Sequence, residues 1–168
     1  MTKSTYILTR HLKTGAEVNG TEIGDALIEL QHRLADEEDA RLASIGDQHT
    51  NIYRPSKWED EDIIFYITAW SEEESEHLLV GMCAGCYATA TIDHLYVVEH
   101  MRGRGIGTML LENMLTVLQA NDPSRALTIG VVASNKIARK MYAKYGFTTE
   151  TYLTLIRTIK PSKILKNN

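Results

Sequence analysis

At 168 residues the chain has the size of one compact domain with one core, which argues against two separate catalytic domains. Hydrophobic residues make up 43% and charged residues 24%, with a mean hydropathy of −0.23, which excludes the disordered, collagenous and membrane composition classes. The net charge of −4 makes no case for nucleic acid, yet residues 1–80 hold 7 Lys/Arg against 17 Asp/Glu, net −10, while residues 81–168 hold 11 against 5, net +6.

Met1-Thr2-Lys3-Ser4 lacks the basic and then apolar pattern of a secretory leader, and no apolar run approaches the ~20 residues of a membrane span, so a cytoplasmic protein without membrane contact is expected. Residues 5–9 read as a first strand. Over residues 21–43, Ile23, Ala26, Leu27, Leu30, Leu34 and Leu42 recur at helical spacing, with Thr21 as N-cap. Asp36-Glu37-Glu38-Asp39 is either a solvated face or a break, so one long helix and two short ones both fit. Residues 51–61 contain Pro55 and read as loop.

Residues 62–70 are β-branched and aromatic, 71–76 form an acidic turn and 78–87 a second strand, giving an antiparallel hairpin. Cys83 and Cys86 lie in that second strand. Their spacing suits half a zinc site or a redox pair, but no second ligand pair exists and no helix follows them. They are expected as buried structural thiols, with no metal.

A third strand, 90–98, leads into Arg102-Gly103-Arg104-Gly105-Ile106-Gly107 and a helix whose apolar face is Ile106, Leu110, Met114, Val117 and Leu118, closed near Pro123. Residues 126–132 are the next strand. Ser134 or Asn135 caps a helix to Tyr145, and Gly146 suits its left-handed C-terminal position. Residues 148–160 read as a last strand and 161–168 as a basic tail, so 1–160 is expected as the single domain. The order gives a mixed α/β (α+β) domain, antiparallel first and crossing over through helices later.

A strand ending in a glycine-rich turn that opens a helix aims free backbone N–H groups and a positive helix end at one point, which suits a phosphate. Glycines at 103, 105 and 107 do not match the dinucleotide fingerprint, and no GxxxxGK[ST] loop is present. The turn alone fits either a pyrophosphate cradle of another kind or an ordinary strand–helix junction.

About 30 residues later comes a second segment, with Asn135, Ala138, Tyr142 and Gly146-Phe147 directly after a strand. Together with Leu95-Tyr96-Val97-Val98 and the turn, these resemble the GNAT superfamily of N-acetyltransferases, most densely over residues 62–147. The resemblance implies a central, mostly antiparallel twisted sheet whose splayed strands hold acetyl-CoA. Arg102, Gly103, Arg104, Gly105, Ile106 and Gly107 then cradle its pyrophosphate. Leu95, Tyr96 and Val97 pair with its pantetheine arm, Asn135 contacts the arm, and Tyr142 protonates the departing thiolate.

Amine attack on a thioester needs an N–H donor for the developing oxyanion and a proton source for the thiolate. A backbone N–H near Val97 and the Tyr142 hydroxyl can supply them; from phenol at ~10 to thiol at ~8.5 the transfer is uphill by ~2 kcal/mol. Tyr142 also sits near the helix's apolar stripe, so core packing is its other reading. A protonated amine acceptor is neutral in only about one part in 2,500 at pH 7, so a base is wanted. Asp93 and His94 are the candidates, and alternation along a strand points them to opposite faces.

The charge split places an anionic cofactor against the second half and steers a cationic acceptor, a polyamine, amino sugar or basic peptide terminus, toward the first; solvated acidic faces are the other reading. Many family members add two strands after the Gly-Phe pair, whereas here only 148–160 is strand-like. The exposed edge this leaves makes a homodimer the expectation. A non-catalytic acetyl-CoA-binding regulatory module and a nucleotide-binding domain are the rival functions.

Overall fold

A computed structural model describes residues 6–47, 52, 54–58, 63–73 and 76–148. The expected last strand after residue 148, the tail and the edge that suggested a dimer lie outside them.

Strand β1 (Tyr6–Thr14) extends past residue 9 because its whole length pairs antiparallel with β2 (Ile63–Glu73), Tyr6 opposite Ser71 and Thr14 opposite Ile63. A one-turn helix, α1 (Gly15–Val18), follows. Its N-cap Thr14 and Glu17 close a capping box, with Thr14 N–H donating to Glu17 Oε2 at 2.8 Å. Helix α2 (Glu22–Ser44) is one continuous helix capped by Thr21. The acidic run does not break it because arginines within the helix and outside it neutralise the run. Arg54 reaches Asp36 at 2.8 Å and Asp39 at 2.5 Å, and Arg41 pairs with Glu37 one turn away at 3.0 Å.

The acidic stretch expected as a turn is mostly strand: β2 reaches Glu73 and β3 (Glu76–Cys86) begins at Glu76. β4 (Thr91–Val97) pairs antiparallel with β3 and parallel with β5 (Thr128–Ile129), so the sheet order is β1-β2-β3-β4-β5. The result is the mixed, mostly antiparallel sheet flanked by helices that the element order implied. Strand β5 is far shorter than the expected 126–132, because beyond Ile129 the chain no longer meets β4.

Helix α3 (Ile106–Asn121) supplies the largest share of the core: Ile106, Leu110, Leu111, Met114, Leu115 and Leu118 are all buried. It seats closely because β3 presents glycine beneath it. A Cβ at Gly81 would lie 2.9 Å from the Tyr96 carbonyl oxygen and 3.1 Å from Leu110 Cδ1. Gly81→Ala is therefore expected to destabilise the fold by about 1–3 kcal/mol in a urea titration, since backbone rather than a flexible side chain must give way. Cys83 is fully buried and Cys86 half-buried on the same strand, both as free thiols, and burial raises the Cys83 pKa. Helix α4 (Lys136–Lys144) starts at Asn135, whose Oδ1 accepts from Ala138 N–H at 3.1 Å, and Gly146 follows at φ +73°.

Candidate active site

The sheet opens where β4 and β5 part. Their ladder comprises only Thr91–Thr128 and Ile92–Ile129. Further along, Val98 N–H donates to Val80 O at 3.0 Å, which fixes the phase of the β3–β4 ladder. With Gly81 opposite Val97 and Cys83 opposite Leu95, the backbone groups of Leu95 and Val97 point away from β3 into the gap. The Val97 carbonyl confirms the direction, since it accepts from Arg102 Nε at 2.8 Å. The N–H groups of Leu95 and Val97 and the carbonyl of Leu95 therefore face the opening.

At the end of β4 a 3₁₀ turn, Glu99–Met101, leads to the glycine turn, where Gly103 and Gly105 hold φ of +76° and +84°. A Cβ at either would meet nothing within 4 Å, so the space before the turn is open. Helices α1 and α2 have threonine N-caps and acidic first turns; α3 has Gly105 as N-cap, no side-chain cap and no carboxylate in its first turn. Its positive end and leading N–H groups are thus left for an outside anion.

Arg102 is placed differently from a bare phosphate ligand. Its guanidinium pairs with Glu37 at 2.5 Å and lies 5.2 Å over the Tyr96 ring, while the Tyr96 hydroxyl donates to Glu37 at 2.9 Å. Burial works against the Glu37 charge, but hydrogen bonds from Arg102 and Tyr96 outweigh it and hold the carboxyl below its usual value. Residue 37, in α2, thereby braces the turn against the N-terminal half.

A cleft of about 560 Å³ runs from the turn past β4 to α4, lined by Leu95, Tyr96, Val97, Arg102, Gly103, Gly105, Ile106, Gly107 and Asn135 of the expected cofactor residues. Arg104 is exposed, with its Nη2 3.5 Å from His100 O, and does not line the cleft. A second chamber of about 350 Å³ lies between α2, β4 and the segment after β5. The two share Leu34, Leu95, Asn135, Ala138 and Tyr142 as walls. Tyr142 is 6% exposed at that junction and packs on Phe147 with ring centroids 5.9 Å apart. Burial first, then the neighbouring Cys83 and Glu38, push its phenol well above the usual tyrosine value.

The Acetyltransferase (GNAT) family model matches residues 27–147. The chain belongs to the GNAT family of acetyltransferases. Phosphinothricin N-acetyltransferase of Streptomyces coelicolor is 34% identical over 61 residues, a stretch that spans 36% of this chain and 35% of that protein. Among solved structures, the PaiA N-acetyltransferase of Thermoplasma acidophilum in complex with coenzyme A aligns with a TM-score of 0.55 at 15% identity, covering 92% of this chain and 99% of that one. The dodecameric spermidine N-acetyltransferase of Vibrio cholerae aligns with a TM-score of 0.55 at 14% identity, over 95% and 96% of the two chains. At these identities the structural likeness concerns the fold.

In this GNAT domain both Asp93 and His94 line the second chamber, although strand alternation would separate them. A bulge is the reason. Ala84 pairs with His94 and Gly85 with Ile92, so Asp93 is the extra residue and the alternation breaks there. His94 stands edge-on to Trp58 with ring centroids 6.4 Å apart. Burial lowers its pKa from 6.5, partly offset by Asp93, so near neutral pH the imidazole is uncharged and able to take a proton.

Sequence reasoning passed over α2. Gln31, Glu38, Glu37 and Arg41 face the GNAT cleft or chamber, and burial raises the Glu38 pKa. The signal was available: positions 27, 31, 34, 38 and 42 make one helical stripe, and two of its five residues are polar.

Proposed function

We propose that the protein is an acetyl-CoA-dependent N-acetyltransferase in which an amine attacks the thioester directly, both substrates being bound at once. The observation that carries this reading is the shared wall between cleft and chamber, with the Tyr142 hydroxyl side chain in it. Such a wall lets a cofactor arm and an amine meet from opposite sides. The coenzyme A complex and the acceptors named for the relatives above, phosphinothricin and spermidine, agree with it.

The residues present fit the cofactor. Gly103 and Gly105 leave room for phosphate oxygens, the start of α3 offers N–H donors, and Leu95 and Val97 offer an extended strand's worth of backbone partners. Arg102 stays tied to Glu37 and steadies the turn, while Arg104 is an exposed cation beside it.

The N–H of Val97 or Leu95 takes up negative charge on the thioester oxygen as the amine nitrogen bonds to the acetyl carbon. Tyr142 gives a proton to the sulfur as the C–S bond breaks. His94 or Asp93 takes the proton that the amine loses. An acidic chamber, with Glu38, Asp47 and Asp93 in its lining, suits a cationic amine.

Acetyl-CoA at about 100 times its dissociation constant should raise stability by ~2.7 kcal/mol, with ATP and NAD inert. Free thiol must then appear when an amine is added; binding without release would instead make the protein a regulatory acetyl-CoA sensor. If His94 is the base, the acid limb of kcat/KM, measured with a weakly basic amine that is neutral throughout, falls below the ordinary histidine value of 6.5. His94→Gln removes that limb. A limb unchanged in the variant assigns the base to another group. Self-association belongs to the same reading, and a monomeric mass in solution removes that part.

A further inference from the structure

The wall of the cofactor cleft carries one charge of the wrong sign for its occupant. Glu37 lines that cleft together with Gly103 and Gly105, where the turn would hold phosphate, and a carboxylate there opposes an anion. Both of its oxygens are engaged. Oε1 accepts from Arg102 Nη2 at 2.5 Å and from the Tyr96 hydroxyl at 2.9 Å, and Oε2 accepts from Arg41 Nη2 at 3.0 Å. Arg41 belongs to the same helix one turn on, whereas Tyr96 lies in β4 and Arg102 opens the glycine turn.

The Arg102 side chain is held at two points. While Nη2 meets Glu37, Nε donates to the Val97 carbonyl at 2.8 Å, so the guanidinium lies folded back over β4, above the Tyr96 ring. The planar fork of arginine suits two such acceptors at fixed directions, and a lysine has no such fork. Held in this way, Arg102 spends its charge on Glu37. What the ion pair adds for a cofactor is shape: it fixes residue 102, from which Gly103 and Gly105 turn the chain into α3.

We propose that Glu37 is a positioning residue for acetyl-CoA, holding Arg102 against β4 so that the glycine turn keeps the shape that receives phosphate, and that Arg102 contributes this geometry in place of a direct phosphate contact. The inference rests on the acetyl-transfer reading of the cleft, and its failure is separable from failure of that reading.

Calorimetric binding of acetyl-CoA to Glu37→Ala decides by the sign of its effect. On charge alone, deleting a carboxylate from the wall tightens an anion, and the same sign follows if Glu37 merely competes with phosphate for Arg102. The brace gives the opposite sign: a dissociation constant raised about tenfold, with the binding stoichiometry unchanged. Glu37→Gln, which keeps an acceptor for Arg102 without the charge, should fall between Glu37→Ala and the wild type. Arg102→Lys keeps the charge and gives up the fork, and it should bind acetyl-CoA about fivefold more weakly or worse. S-acetylpantetheine, which has the thioester arm and no phosphate, should keep its wild-type affinity in every variant, read from the rise in melting temperature as its concentration increases. A merely structural role would weaken both ligands alike.

Acetyl-CoA bound as tightly as in the wild type, or more tightly, by Glu37→Ala overturns the proposal. So does wild-type affinity in Arg102→Lys, or an equal loss for S-acetylpantetheine. Each of these results leaves acetyl transfer standing. If Glu37→Ala does not fold, Glu37→Gln and Arg102→Lys decide the matter by the same signs. A wild-type protein that acetyl-CoA does not stabilise overturns the acetyl-transfer reading and the proposal with it.

Discussion

Tyr142→Phe is expected to lower kcat by about 10²–10⁴-fold while leaving acetyl-CoA affinity within about tenfold of the wild type. The ring keeps its place against Phe147, so the substitution removes only the hydroxyl. Burial raises the phenol, which on its own makes it a poorer acid than a tyrosine in water. The thiolate it serves would be buried in the same surroundings, and burial raises a thiol as well, as it does for Cys83. The two shifts oppose each other in the difference that decides the transfer. Tyr142 therefore stays protonated throughout the working pH range and releases its proton only when a thiolate forms beside it. Stopped-flow thiol release with calorimetric binding separates the roles. Full turnover in the variant would return Tyr142 to core packing, and equal losses in affinity and turnover would make it a binding residue.

The glycine turn and the helix cap were legible because their determinants are local. Glycines 103 and 105, whose left-handed backbone turns the chain into α3, are neighbours in sequence, and the Asn135 cap needs only Ala138 three residues on. The chamber half depends on partners that pattern cannot supply. Whether Asp93 joins His94 depends on a register shift against β3, set by cross-strand pairing rather than by the strand's own residues. The acidic run read as a solvated or breaking segment because its partners, Arg54 and Arg102, are distant in sequence; the Glu37–Arg102 contact spans 65 residues. The charge split, read as a cofactor side and an acceptor side, did not foresee that Glu37 of acidic α2 pairs with Arg102 of the basic turn. Strand β5 failed in the opposite sense. Its apolar run predicts a long strand, but the residues after Ile129 leave the ladder and line the chamber instead.

Gly105→Asp should abolish measurable acetyl-CoA binding while leaving the fold within about 1 kcal/mol of the wild type. Aspartate is among the residues that most readily accept a left-handed backbone, so the φ of +84° costs it about 1 kcal/mol. Its carboxylate then sits at the uncapped N-terminus of α3, where a negative charge recovers about 0.3–1 kcal/mol from the helix dipole. No packing is disturbed, because a Cβ at this position meets nothing within 4 Å. The phosphate that the turn would hold meets that charge at close range, and a unit charge pair 4 Å apart repels by about 4 kcal/mol at an effective dielectric constant of 20, roughly a thousandfold in affinity. The carboxylate also takes the N–H donors the phosphate would use. Gly105→Asn, with the same shape and no charge, should retain more affinity than aspartate, and the gap between the two should narrow as salt is added. Thermal unfolding alongside calorimetry decides the matter. An aspartate variant that unfolds early would locate the effect in the backbone, and one that binds acetyl-CoA normally would remove the phosphate from this turn.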